Sequence, residues 1–175
     1  MDNQVTSDTN KKRINKTFRQ WIRFLHVMFS LIWMGVVICL GLLIFFRPDP
    51  SSGDELRYFN EIIHRIDTTL IAITPLISLI TGILLCWKTN WGFFKYWWII
   101  IKLSLTIIII VFSIIYLGPV SPNLVEISGK LGLEALVDDT YISYFTRLTI
   151  FNPINIALFA FLTYVAHFKP WGKRT

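Results

Sequence analysis

The chain has 175 residues, of which 54% are hydrophobic, 15% aromatic and only 16% charged, against about a quarter charged in an average soluble domain. That length allows one domain, and that composition excludes disorder, a collagen-like repeat and a disulfide scaffold. A net charge of +6 on a soluble protein would point to nucleic acid, but most of the hydrophobic residues lie in long blocks, so the charge has to be set against a bilayer first.

Residues 1–20 are polar and basic and read as a mobile cytoplasmic tail close to anionic lipid. Residues 21–170 form a single membrane domain, and 171–175 a second short tail. Crossing roughly 30 Å of hydrocarbon takes about 20 helical residues, and four stretches are long enough: about 24–46, 68–87, 97–117 and 148–168. The first is interrupted only by His26 and Ser30 and reads as an uncleaved anchor, because its apolar run exceeds a signal core and no small-x-small cleavage site follows. Strands of a barrel would alternate and be half as long, so helices are the expectation. Between the third and fourth spans, Leu124, Ile127, Leu131 and the 133–137 cluster recur at roughly helical spacing, which predicts a short interfacial helix. Cys39 and Cys86 fall in spans at opposite ends and cannot pair with each other.

The charge divides by segment into +4 up to Arg23, −2 over 47–67, +3 for Lys88, Lys95 and Lys102, −2 over 126–147, and +3 for Lys169, Lys173 and Arg174. The alternation matches four crossings with the positive segments inside. The predicted fold is therefore an all-α integral membrane four-helix bundle in the cell membrane, N-in and C-in, with about +10 on the cytoplasmic side and −4 outside. Charge used for orientation leaves nucleic acid out as a partner and makes the lipid bilayer the first one.

Ionisable groups in lipid are costly and tend to face the bundle interior. His26, Lys102 and His167 come from three separate helices at one depth near the cytoplasmic face, while His64 and Asp67 open the second span on the other side. Two imidazoles from facing helices are a common way to hold a b-type haem, and His26 with His167 is the one pair at matching depth. Each group also has a plainer reading: the histidines can reach headgroups, Lys102 can snorkel to the cytoplasmic surface, and Asp67 can pair with Arg65 or Arg147. Polar stripes follow helical spacing at His26, Ser30, Trp33 and Val37, at Asp67, Thr74, Ser78 and Thr81, and at Trp98, Lys102, Thr106 and Ser113, as interior faces should. Pro75 and Pro153 each free a backbone carbonyl inside a span, and Asn152 and Asn155 with Arg147 make a polar patch in the outer half. No zinc spacing, phosphate-binding glycine loop or Met-rich copper path is present in the sequence.

The stretch Trp21-Ile22-Arg23-Phe24-Leu25-His26-Val27, followed by Trp33-Met34-Gly35, resembles the start of a group of small four-helix membrane families: the copper-resistance D-like proteins, the bacterial four-helix protoporphyrinogen oxidases and a predicted integral membrane family of unassigned function. The last of these is the best fit, through Thr81-Gly82-Ile83-Leu84-Leu85, Thr89-Asn90-Trp91-Gly92-Phe93-Phe94-Lys95, Trp98 with Lys102, and Lys169-Pro170. The resemblance to the oxidases implies that His26 and Lys102 serve haem binding. The chain departs from them in lacking a histidine in the third span and in carrying Asn152-Pro153 without the accompanying acid.

The leading expectation is a b-haem redox protein in which His26, with His167, ligates iron and Lys102 meets a haem propionate or an anionic substrate, working with a membrane redox partner or a second copy of itself. The alternatives are a small-solute or metal permease using the polar stripes, and a non-catalytic subunit of a membrane complex.

Overall fold

In hydrocarbon a backbone N–H or C=O finds no water, and an α-helix answers the difficulty by satisfying these groups within its own segment. The computed structural model describes residues 16–88 and 92–172, and among them there is no strand. The basic tail expected over 1–20 lies outside the described residues as far as residue 15, as do 89–91 in one resemblance motif and 173–175 in the C-terminal tail.

Four helical runs are long and apolar enough to cross a membrane. Helix α1 is Lys16–Phe45. Helices α2, Gly53–Ile66, and α3, Ala72–Lys88, follow one another through a π-helical turn at Asp67–Ile71. Helix α4, Trp97–Phe112, passes through a second π turn, Ser113–Leu117, into α5, Val120–Leu131. A 3-10 stretch, Gly132–Val137, leads to α6, Asp139–Phe168.

Local chemistry sets the ends of these helices. Ser52 caps α2 by accepting from the Glu55 N–H at 3.2 Å, and Glu55 Oε2 accepts in return from the Ser51 N–H at 2.7 Å, a variant of the reciprocal capping box. Asp138 caps α6 by accepting from the Tyr141 N–H at 2.9 Å. Lys169 adopts a left-handed conformation, φ 48°, and Pro170 follows, so α6 stops there. Gly132 closes α5 at φ 57° and touches Gly53, where a side chain would strike its Cα.

The packing has two regimes. Helices α2 and α5, with the start of α6, form a cap beyond the apolar spans, and Leu56, Val120, Leu124 and Ala135 in its core are fully buried. Charged Asp54, Glu55, Arg57, Glu61 and Glu126 cover this cap, so water can drive its collapse. Among its buried polar groups, Asn60 is 1% exposed and donates to Ser128 Oγ at 3.1 Å and to Tyr141 Oη at 3.2 Å. Arg47 Nη1 donates to the same tyrosine oxygen at 3.3 Å, tying the end of α1 to the cap.

Within the spans, large side chains such as Leu31, Ile73, Ile80, Ile108 and Ile115 are exposed. In lipid that exposure costs nothing, and helix association rests on close contacts and interhelical hydrogen bonds instead. Helix α1 meets α3 where Ser30 Oγ and Ser78 Oγ share a 2.7 Å hydrogen bond. It meets α6 where Gly41 lies under Asn152, whose Nδ2 donates to the Val37 carbonyl at 2.9 Å. A Cβ at residue 41 would collide with Asn152 Oδ1. The Gly41→Val substitution is therefore expected to destabilise the bundle by about 1–3 kcal/mol, measured as a lower unfolding midpoint in detergent; an unchanged midpoint would contradict this α1–α6 contact.

Candidate functional site

Four helices of uneven thickness leave space between them, and two of the resulting cavities lie one at each end of the spans. Trp33 of α1 and Phe159 of α6 border both, their rings edge to face at 4.4 Å between centroids. Such a pair contributes about 0.5–1.5 kcal/mol beyond its buried area. With Val37, Ile109, Ile110 and Leu162 it makes a dry waist.

The cavity at the end holding the termini has a volume of about 460 Å³, inside the range of small-molecule sites, about 300–1,000 Å³. Its α1 side presents His26 and Ser30, its α3 side Ser78, Gly82 and Cys86, and its α4 side Trp98, Lys102 and Thr106. Each set recurs at three or four residues, the spacing that keeps side chains on one face of a helix. The His26 ring lies against Gly82, with Cε1 only 3.1 Å from where a Cβ would stand, so the glycine makes room for the imidazole. His26 Nδ1 is 2.9 Å from the Ser78 carbonyl and 3.3 Å from Thr81 Oγ1. A carbonyl only accepts, so Nδ1 carries the proton and donates to it, leaving Nε2 with the lone pair. Ser30 Oγ in turn donates to the His26 carbonyl at 2.7 Å.

The charged groups around this cavity share one sign. Arg23, Lys102 and Lys169 line it, and no carboxylate does among the described residues. Lys169 also stands over the Trp98 ring at 5.9 Å. Most of the remaining wall is apolar, including Leu31, Met34, Leu79, Ile99 and Leu103. The site therefore suits a molecule with an apolar body and an anionic edge.

Of the three residues expected to act together, the structure gathers two. His26 and Lys102 line the same cavity, whereas His167 does not. The cavity face of α6 is Phe159, Leu162, Thr163 and Ala166; one residue further on, His167 is turned by about 100° and is exposed, its ring edge-on to Phe168. Matching depth along two helices does not make two side chains face each other. Among the described residues, no three His, Cys, Asp or Glu side chains are grouped to hold a metal ion.

The cavity at the cap end has a volume of about 280 Å³ and polar lining from Asp67, Thr68, Ser113, Ser121, Asn152 and Asn155. Both π turns border it. Asp67 pairs with neither Arg65 nor Arg147 but accepts from Ser121 Oγ at 2.8 Å, and Arg147 stacks over Tyr116 and Tyr144. Ser121 carries no signal in the sequence beyond its type.

Comparison with family models, with curated proteins and with solved structures found no match. The family likeness thus rests on the motifs in the chain itself, and the site is interpreted from its own chemistry.

Cys86 lines the termini-side cavity, while Cys39 is exposed on the opposite half of α1. A water-soluble reagent does not reach a thiol that faces lipid, whereas a thiol lining an open cavity is accessible to it. A water-soluble maleimide is therefore expected to label Cys86 from the side of the termini and to leave Cys39 unmodified, as read by mass spectrometry; the reverse pattern would contradict the cavity.

Proposed function

We propose that this is a multi-pass protein of the cell membrane, with both termini cytoplasmic, that holds a b-type haem in the termini-side cavity and takes part in electron transfer. The observation that carries this reading is His26. Its Nδ1–H is bound to a backbone carbonyl at 2.9 Å, the arrangement that orients an imidazole and raises the basicity of its other nitrogen for a metal. An isolated metal ion would need several protein ligands, but a porphyrin brings four of its own and asks the protein for one or two.

The lining fits the rest of such a group. The apolar wall accepts the macrocycle, and Lys102, Arg23 and Lys169 offer positive charge to its carboxylates, where a charge-assisted contact is roughly twice as strong as a neutral one. The bound haem would supply one-electron chemistry. His26 would be the protein's iron ligand, Lys102 the anion partner, and Gly82 the residue that leaves the ring its place. His167 has no part in this version of the site. The electron partner would be another membrane redox protein or a second copy of the chain, and the cap with α5 would lie at the outer membrane surface.

A second reading, a small-solute permease, draws on the two cavities that meet at Trp33 and Phe159. It requires uptake into proteoliposomes without any cofactor.

Protein purified in detergent from haem-replete cells is expected to show a Soret band, lost in His26→Ala and kept in His167→Ala. A colourless wild type would rule the haem reading out. For orientation, reporters at both termini should be active on the cytoplasmic side, and a reporter inserted at 122–130 on the outside; any other pattern overturns the assigned topology.

A further inference from the structure

The cap-side cavity has its own chemistry, built on residues that the haem reading does not use. Among the described residues, Asp67 is the one carboxylate that lines it, and it opens the π turn Asp67–Ile71. A π turn widens the helix by one residue and commonly marks a functional position. Here the hydroxyls of Thr68 and Thr69 reach back to donate to the His64 and Arg65 carbonyls. The facing helix has its own π turn at Ser113–Leu117, with the Gly118 N–H donating to the Ser113 carbonyl at 2.8 Å. The two turns lie on opposite walls of the same cavity.

Behind Asp67 runs a chain of hydrogen bonds. Ser121, 2% exposed, stands 2.8 Å from Asp67 Oδ2 and 3.0 Å from His64 Nδ1. His64 is half-exposed on the cap, one turn before Asp67, and does not line the cavity. A serine hydroxyl has one proton. When it is donated to the Asp67 carboxylate, His64 Nδ1 must carry a proton and donate to the serine oxygen. When the carboxyl is protonated instead, Asp67 donates to Ser121, and Ser121 donates to a bare Nδ1. The same three residues thus support two opposite polarities that differ by one proton.

We propose that His64, Ser121 and Asp67 form a proton relay between the aqueous surface of the cap and the cap-side cavity. A proton from water binds His64 Nε2; the Nδ1 proton moves to Ser121 Oγ while the serine proton moves to Asp67 Oδ2. His64 is left neutral with its proton on Nε2, and Asp67 is left as a carboxylic acid, so charge and protons balance with no redox step. Chains of Asp, Ser and His at membrane depth are the recurring means of moving protons where water is scarce. The titratable group joined to Asp67 from its own run of helix is His64, through Ser121. Helix α5 contributes Ser121, the second π turn Ser113, and α6 Asn152 and Asn155, none of them titratable; Arg47 and Arg147 are held over aromatic rings, Phe59 with Phe145 and Tyr116 with Tyr144.

The test is infrared difference spectroscopy of the full-length protein in liposomes after a rapid acid pH jump. Wild type is expected to show the rise of a carboxylic acid C=O band that Asp67→Asn removes. Ser121→Ala and His64→Gln should each slow that rise by about tenfold or more, and Ser121→Thr, which keeps a hydroxyl, should restore it. A band that Asp67→Asn leaves in place, or one that rises at the wild-type rate in both Ser121→Ala and His64→Gln, would overturn the relay. His64→Gln alters a half-exposed side chain and keeps the test decisive if Ser121→Ala does not fold.

Discussion

The constraint on which the structure depends is the lack of water in the hydrocarbon layer. A polar side chain there must find a partner on its own or a neighbouring helix, and the few interhelical contacts among the described residues fix how the helices face one another. Ser30 with Ser78, His26 with the Ser78 carbonyl, and Asn152 with the Val37 carbonyl set the rotation of α1 against α3 and α6. Glycines at 41 and 82 sit opposite two of these side chains and let the backbones approach. The apolar residues fill in around this frame, and their exposed members face lipid without penalty.

The same frame produces an unequal pair of cavities. The termini-side cavity is lined by basic groups and an imidazole, the cap-side cavity by one carboxylate and neutral hydroxyls and amides, with the Trp33–Phe159 waist between them. Charges of opposite sign at opposite ends follow the segment charges of the whole chain. The positive ends of the spans and the basic cavity share one side, and the acidic loops and Asp67 share the other. Basic groups with an apolar wall thus stand at one end, and a carboxylate with neutral polar groups at the other.

Much of this was legible in the sequence because it is periodic. The four spans are long, mainly apolar runs, and the stripes through His26, Ser30 and Trp33 and through Thr74, Ser78 and Thr81 pick out faces that are buried or line a cavity. Depth along a helix also follows from residue number, which is why His26 and Lys102 could be placed together. Rotation about the axis between two helices does not follow, and His167 shows the consequence: it lies at the right depth, one residue beyond the cavity face. The cap network was hidden for a different reason. Asn60 meets Tyr141 and His64 meets Ser121 across 81 and 57 residues of sequence, and ordinary serines and asparagines give no pattern that announces such pairings. The π turns were hidden too, since each shifts the helical phase by a residue without changing composition.

The proposed cofactor site between His26 and Lys102 is tested most directly by an experimental structure of the protein purified from haem-replete membranes. Porphyrin density is expected in the termini-side cavity, with iron bonded to His26 Nε2 and carboxylates directed at Lys102. Density for lipid or water alone there, with His26 Nε2 hydrogen-bonded to a protein group, would contradict it.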